Sequence, residues 1–226
     1  MASHSPREDL FQKHYDEIVA LLDAFVNSVV VSGDYISAEN ALIGYLIDMY
    51  SSVFLEEIDY ILDALGVDLA PEEVIEIRNG VNTSSFARSN RGRLKEILDA
   101  HVSELKSKVI DTTDTVDFDE ITKDFSSNLD RLAISEVQMG IEKASVESAK
   151  LFELVTEHSI LKTWNCIGDS SSCKTCLAMD GVTIGVTESF SSVAPSANIV
   201  EQLSYTGGDI VYAHPRCRCW VAYSKA

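Results

Sequence analysis

The sequence predicts an α+β protein, with a helical N-terminal region followed by a small β-rich C-terminal module. Three observations carry this. Apolar residues recur at three- and four-residue steps through most of the first 150 positions. After His158 the spacing changes to the two-residue alternation of a strand. All five cysteines lie beyond that change. At 226 residues and 46% hydrophobic content, the chain can bury one large core or two modest ones. Reading along it, residues 1–8 are a polar, disordered start, 9–127 a helical region, and 128–226 a long helix leading into the β-rich module.

Leu10, Tyr15, Ile18, Leu22, Phe25 and Val29 predict a first helix from Asp9 to about Val31, broken by Ser32-Gly33-Asp34. Asp23 and Asn27 interrupt any run of membrane length, so the helix reads as core rather than anchor. A second helix is expected after Ser37, reaching Leu65 and stopping at Gly66 to form an αα-hairpin with the first. Its acidic residues Glu56, Glu57, Asp59 and Asp63 should form a solvated face.

Pro71 suits the first turn of a short helix to Arg78, where Glu72 and Glu73 complement the N-terminal dipole. Asn79–Gly92 reads as a loop carrying Arg88 and Arg91 between Arg78 and Arg93. That basic cluster suggests either a phosphate or acidic-partner contact or local charge balance. Arg93–Ile110 should be amphipathic, and Asp111–Asp117 a connector. A helix from Asp119 and a longer one, Leu129–Phe152, complete the helical part. In the longer helix Leu132, Ile134, Val137, Ile141, Ala144 and Val146 are the expected apolar positions.

Ile160, Lys162 and Trp164 alternate as a strand. Val182–Thr187, Ile210–Tyr212 and Trp220–Tyr223 are further strand candidates, with Asp180-Gly181 as a hairpin turn. Ser189–Ser204 is expected to be a polar loop broken at Pro195.

The cysteine spacing carries the chemistry. Cys173-Lys174-Thr175-Cys176 places two sulfurs on one side of a tight turn, and His214-Pro215-Arg216-Cys217 can supply a second pair. Two such pairs suit a closed tetrahedral zinc site. The halves are separated by 37 residues, enough for a β-subdomain pinned at its base. The expected metal ligands are Cys173, Cys176, His214 and Cys217, with Cys219 an alternative fourth and Cys166 a buried thiol. Two other readings of the cysteines compete. A disulfide framework would leave one of five cysteines over, and no secretory signal opens the chain. A redox Cys-x-x-Cys belongs in a βαβ pattern, which does not surround Cys173.

Trp164, Asp169, Cys173-x-x-Cys176, Asp180-Gly181 and His214-Pro215-x-Cys217-Arg218-Cys219 together resemble the C-terminal signature of the phage Mu F-like minor head proteins, the phage head-morphogenesis family. The upstream Arg131–Glu136 segment is similar to that family's Arg-x-x-x-Ile-Ala-x-Thr-Glu, with Ser135 in place of Thr and Ala133 out of step. The likeness covers residues 128–222. It implies a non-enzymatic minor capsid component inside the virion, bound to the portal protein and to the major capsid protein. Packaged DNA would be a further contact, and host cytoplasm the place of assembly; Arg216 and Arg218, flanking Cys217, suit contact with an acidic partner or DNA and equally plain solvent exposure beside the site.

Charge constrains the partners. The net charge is −18, of which residues 151–226 carry only −2. Such a surface repels phosphate backbones, so wrapping of nucleic acid is disfavoured, while docking to a basic protein surface and a plain solubilising role both stay open. Phosphate-binding glycine loops, nucleophile elbows and His-Glu-x-x-His are absent from the sequence. A metal-dependent nuclease built on His158 or His214, and a zinc-module adaptor outside the virion, are the alternative functions.

Overall fold

A computed structural model describes residues 8–66, 68–80, 83–110, 118–204, 208–211 and 217–226. The chain is α+β: long helices, then a three-stranded antiparallel sheet near the C-terminus. Helix α1 (Glu8–Asn27) runs into one π turn, Ser28–Ser32, so the polar start is one residue shorter than expected. Gly33 closes the turn, its N–H donating to the Ser28 carbonyl at 3.0 Å. Helix α2 (Ile36–Leu65) ends at Gly66 as the sequence predicts.

Helices α1 and α2 do not form an isolated hairpin. Helix α5 (Phe118–Thr156) packs against both, and α4 (Thr83–Ile110) covers α2. The result is an arc of burial around α2 wider than one partner would impose. Glu57, expected to be wet, is therefore only 1% exposed, whereas Glu56, Asp59 and Asp63 do face solvent.

The expected loop at 79–92 is largely helix. Helix α3 spans Pro71–Gly80 and α4 begins at Thr83, ten residues before the predicted start. Short polar residues that read as a loop are also the residues that open helices. Buried Leu94, Leu98, Val102 and Leu105 give α4 the stripe that holds it in place. The outer arginines of the proposed basic cluster are used internally. Arg78 pairs with Asp59, and Arg93 with Glu136. The connector at 111–117 lies outside the described residues.

The two predicted helices after it are one. Helix α5 has 39 residues and, at 1.5 Å per residue, is about 58 Å long. It spans both hydrophobic cores. Phe125, Leu129, Ala133, Val137, Ile141 and Ala144 face the N-terminal core; Val146, Ala149 and Phe152 face the C-terminal one. Leu132 and Ile134 are only half-buried, because the inward face passes through Ala133 and Gly140. Gly140 is there for space: a Cβ would sit 2.9 Å from the Tyr50 ring.

In the C-terminal core, β1 (Ile160–Asn165) is the central strand, flanked by β2 (Thr183–Gly185) and β3 (Trp220–Lys225). Lys162 pairs with Ile184 on one side and Tyr223 on the other. Both edges of β1 are thus occupied. The expected strand at Ile210–Tyr212 has no place beside it: Ile210 and Val211 are buried as irregular chain, and Tyr212 lies outside the described residues. Asp180-Gly181 is a turn, but it leads from helix α6 (Lys174–Met179) into β2 instead of joining two strands. Gly181 takes φ +76°, a conformation that favours glycine, and its N–H bonds the Trp164 carbonyl at 2.8 Å. The expected polar loop at 189–204 contains a 3₁₀ turn, Phe190–Ser192, and helix α7 (Ala197–Ser204), which starts just after Pro195.

Candidate metal centre

The two halves of the predicted site meet at one end of this sheet. Cys173 does not sit in a plain loop: it is the N-cap of α6, its sulfur accepting the Cys176 N–H at 3.3 Å. One helical turn therefore orients both thiols, with the Cys173 and Cys176 sulfurs 3.2 Å apart. The other half is the segment leading into β3. There Cys217 Sγ lies 3.7 Å from Cys176 Sγ and 3.4 Å from the Val211 carbonyl. Gln138 of α5 donates to the Cys219 carbonyl at 3.2 Å, anchoring this segment to the long helix.

Cys176, Cys217 and Cys219 form a buried cluster whose sulfurs all lie within 4.8 Å of one another. This cluster could hold a metal ion. Four sulfurs around a tetrahedral ion at about 2.3 Å stand roughly 3.8 Å apart. The Cys176–Cys217 spacing matches that value, while Cys173 and Cys176 would have to spread by about half an ångström. Among the described residues the donors are all soft sulfur, three of them buried and Cys173 half-buried, which suits a structural ion.

Sequence spacing left Cys217 and Cys219 competing for one place, and the structure brings both in. Residues two apart in extended chain share a face, so Cys217 and Cys219 both turn inward ahead of β3 while Arg218 between them is exposed. His214 lies outside the described residues. Cys166, expected to be buried, is half-buried at the end of β1, its N–H donating to Asp180 at 2.8 Å. His158 is on the exposed turn after α5, its ring against Phe152.

Crowding and burial hold these thiols in the neutral form unless a cation shares their charge. The adjacent Cys176 sulfur, then Cys217, then burial push the Cys219 thiol upward; Cys217 does the same to Cys176. Negative charge cannot accumulate in so small a space without a positive ion to share it.

Two features around the centre escaped sequence reasoning. Lys162 is completely buried, with its Nζ donating to the Asp209 carbonyl at 3.0 Å and lying 5.2 Å from the Phe190 ring centre. Burial lowers its pKa to about 8, with Lys150 and Lys143 adding to the effect and Asp209 and Glu147 opposing it. The signal was legible, since Lys162 occupies an inward position between Ile160 and Trp164. The second is Arg218, which pairs with Asp169 of the same chain at 2.7 Å. Of the two tryptophans, Trp164 is fully buried and makes an edge contact with Phe190 at 5.3 Å; Trp220 is half-buried.

Glu136 belongs to the segment that resembles the phage family. Its partners are in the helical half: the Arg93 guanidinium grips both carboxylate oxygens, and the Tyr50 hydroxyl donates to one of them.

No family model, curated protein or solved structure matches the chain. Among the described residues, no helix is long and apolar enough to cross a membrane.

Proposed function

We propose that this chain is a phage minor head protein, a non-enzymatic structural component that acts near the portal in head morphogenesis or genome delivery. One observation carries the reading: the Cys173-x-x-Cys176 and His214-Pro-x-Cys217-Arg-Cys219 signature resembles that of the Mu F-like family. The meeting of Cys176, Cys217 and Cys219 in one buried cluster, with Cys173 beside Cys176, supports it. Zinc is the ion that this donor set suits best, and its work here is structural: it ties α6 to the segment before β3. The acidic helical half is the docking surface, fitted to basic faces of portal or capsid protein, and contact with packaged DNA is confined to local basic residues. The working place is the interior of the head.

Quantitative mass spectrometry of purified particles, scaled to the portal and major capsid proteins, tests this. A copy number near or below that of the portal ring is expected. A ratio approaching the major capsid protein would move the docking surface to the shell lattice. Absence from particles would sink the reading in favour of a zinc-module adaptor or a nuclease.

A further inference from the structure

The loop before Cys173 is tied down by one carboxylate. Asp169 Oδ1 accepts the Ser171 N–H at 2.9 Å and the Ser172 hydroxyl at 3.3 Å, while the Ser172 N–H bonds the Asp169 carbonyl at 3.0 Å. The same oxygen receives Arg218 Nη2 at 2.7 Å, across 49 residues of sequence. Arg218 stands between Cys217 and Cys219. One ion pair therefore joins the loop that delivers the first two thiols to the segment that delivers the other two.

We propose that Arg218 is the positioning residue of the thiol centre: through Asp169 it clasps the two half-sites together before a metal arrives, and it supplies positive charge beside the assembled thiolates. The clasp stands on geometry alone. The charge-balancing role rests on the metal reading given above, because three or four thiolates around a dication leave the centre with net negative charge. A guanidinium fixed beside that centre offsets the excess, and it does so without competing for the ion, since arginine has no free lone pair under these conditions.

The test uses the full chain and two separate readouts. First, in reduced, metal-stripped protein, the rate of thiol labelling at Cys217 and Cys219 is followed by peptide mass spectrometry. Asp169→Asn is expected to raise it by up to about fivefold, the range of an exposed ion pair. An unchanged rate overturns the clasp. Second, zinc affinity is measured by chelator competition for wild type, Asp169→Asn, Arg218→Lys and Arg218→Gln. Arg218→Gln should bind zinc more weakly than Asp169→Asn, and Arg218→Lys should recover part of the loss by restoring charge. Equal affinities for Arg218→Gln and Asp169→Asn overturn the charge-balancing role. If the wild-type chain binds no zinc, the metal reading fails and the charge-balancing role with it, while the labelling rates still decide the clasp. Should Arg218→Gln fail to fold, as judged by circular dichroism, Arg218→Met takes its place against Asp169→Asn: equal affinities again overturn the charge role.

Discussion

Helices of 20 to 39 residues enclose the N-terminal core, whereas the C-terminal core is assembled from strands of three to six residues and helices of six and eight. A long amphipathic helix brings its own backbone hydrogen bonds and a continuous apolar stripe, so α1, α2, α4 and α5 need little beyond each other. Short elements bring neither in quantity. The C-terminal core instead draws on α5 and on the ends of α2 and α3, through Ile58, Ile61, Leu65 and Ile77, and it gathers cysteines where the apolar surface runs out. The buried polar groups follow the same division. In the helical half they include four glutamates, Glu39, Glu57, Glu136 and Glu142, of which Glu136 is held by Arg93 and Tyr50. In the C-terminal half they include one lysine, Lys162, beside a cluster of thiols. The lesson is that the second region depends on specific chemistry where the first depends on area.

The comparison breaks most readily at the thiols. Chelation of zinc-loaded protein, or Cys176→Ser, should destabilise the C-terminal half by more than about 5 kcal/mol, since structural zinc contributes about 10–16 kcal/mol in small domains. Hydrogen exchange should show β1–β3 opening while α1 and α4 stay protected. If all helices open together, the shared helix α5 makes the two regions one cooperative unit and the contrast is false.

Arg93→Leu probes the other side. Glu136 is 1% exposed, so removing its cation strands a buried carboxylate at a cost of about 3–5 kcal/mol. Urea unfolding followed by exchange at α2 and α5 should register the loss, with the thiol centre unaffected. A shift below about 1 kcal/mol would mean that the helical half too relies on area alone.

Lys162→Met sharpens the contrast through pH. The folded-state pKa near 8 lies below the ordinary 10.5, so between these values the unfolded chain holds more protons than the folded one. Stability should therefore rise with pH across that window, by about 1.4 kcal/mol per unit. Below it the full cost of burying the charge is present; above it the cost is gone. Urea midpoints of wild type and variant, measured at pH 7.5 and 9.5, should differ by this slope. Parallel curves would show that Lys162 reaches water.

The smallest effect is expected at Gly140→Ala. Alanine gains about 1 kcal/mol of helix propensity over glycine, but its Cβ meets the Tyr50 ring at 2.9 Å. Tyr50 is fully buried and tied to Glu136, so it cannot swing aside. Overpacking costs about 1–3 kcal/mol, and a net destabilisation near 1 kcal/mol should appear in thermal melts. A stabilised variant would show that the α2–α5 contact is loose.

Much of the helical half was legible because periodicity is a local property. The end of α2 at Gly66, the start of α3 at Pro71 and the inward face of β1 all followed from neighbouring residues. Errors arose where a polar stretch could serve two structures. Asn79–Gly92 has the composition of a loop, yet most of it is helix once the stripe Leu94–Leu105 docks on α2. Glu57 was misread for a related reason: nothing in α2 itself says that three other helices will surround it. At the thiol centre, spacing alone named Cys173, Cys176 and Cys217, but could not decide about Cys219 because that depends on whether the chain there is a tight turn or extended.

By itself, the sequence determined the class of fold, the division between long helices and short strands, and the pairing of Cys173 with Cys176. These depend on spacings of a few residues, over which backbone geometry allows few choices. Only the tertiary structure decided which thiols meet across 41 residues, that Arg218 answers Asp169, and that Lys162 is sealed from water. Those contacts join residues far apart in the chain, and the long-range packing of α5 and the sheet alone brings them within reach.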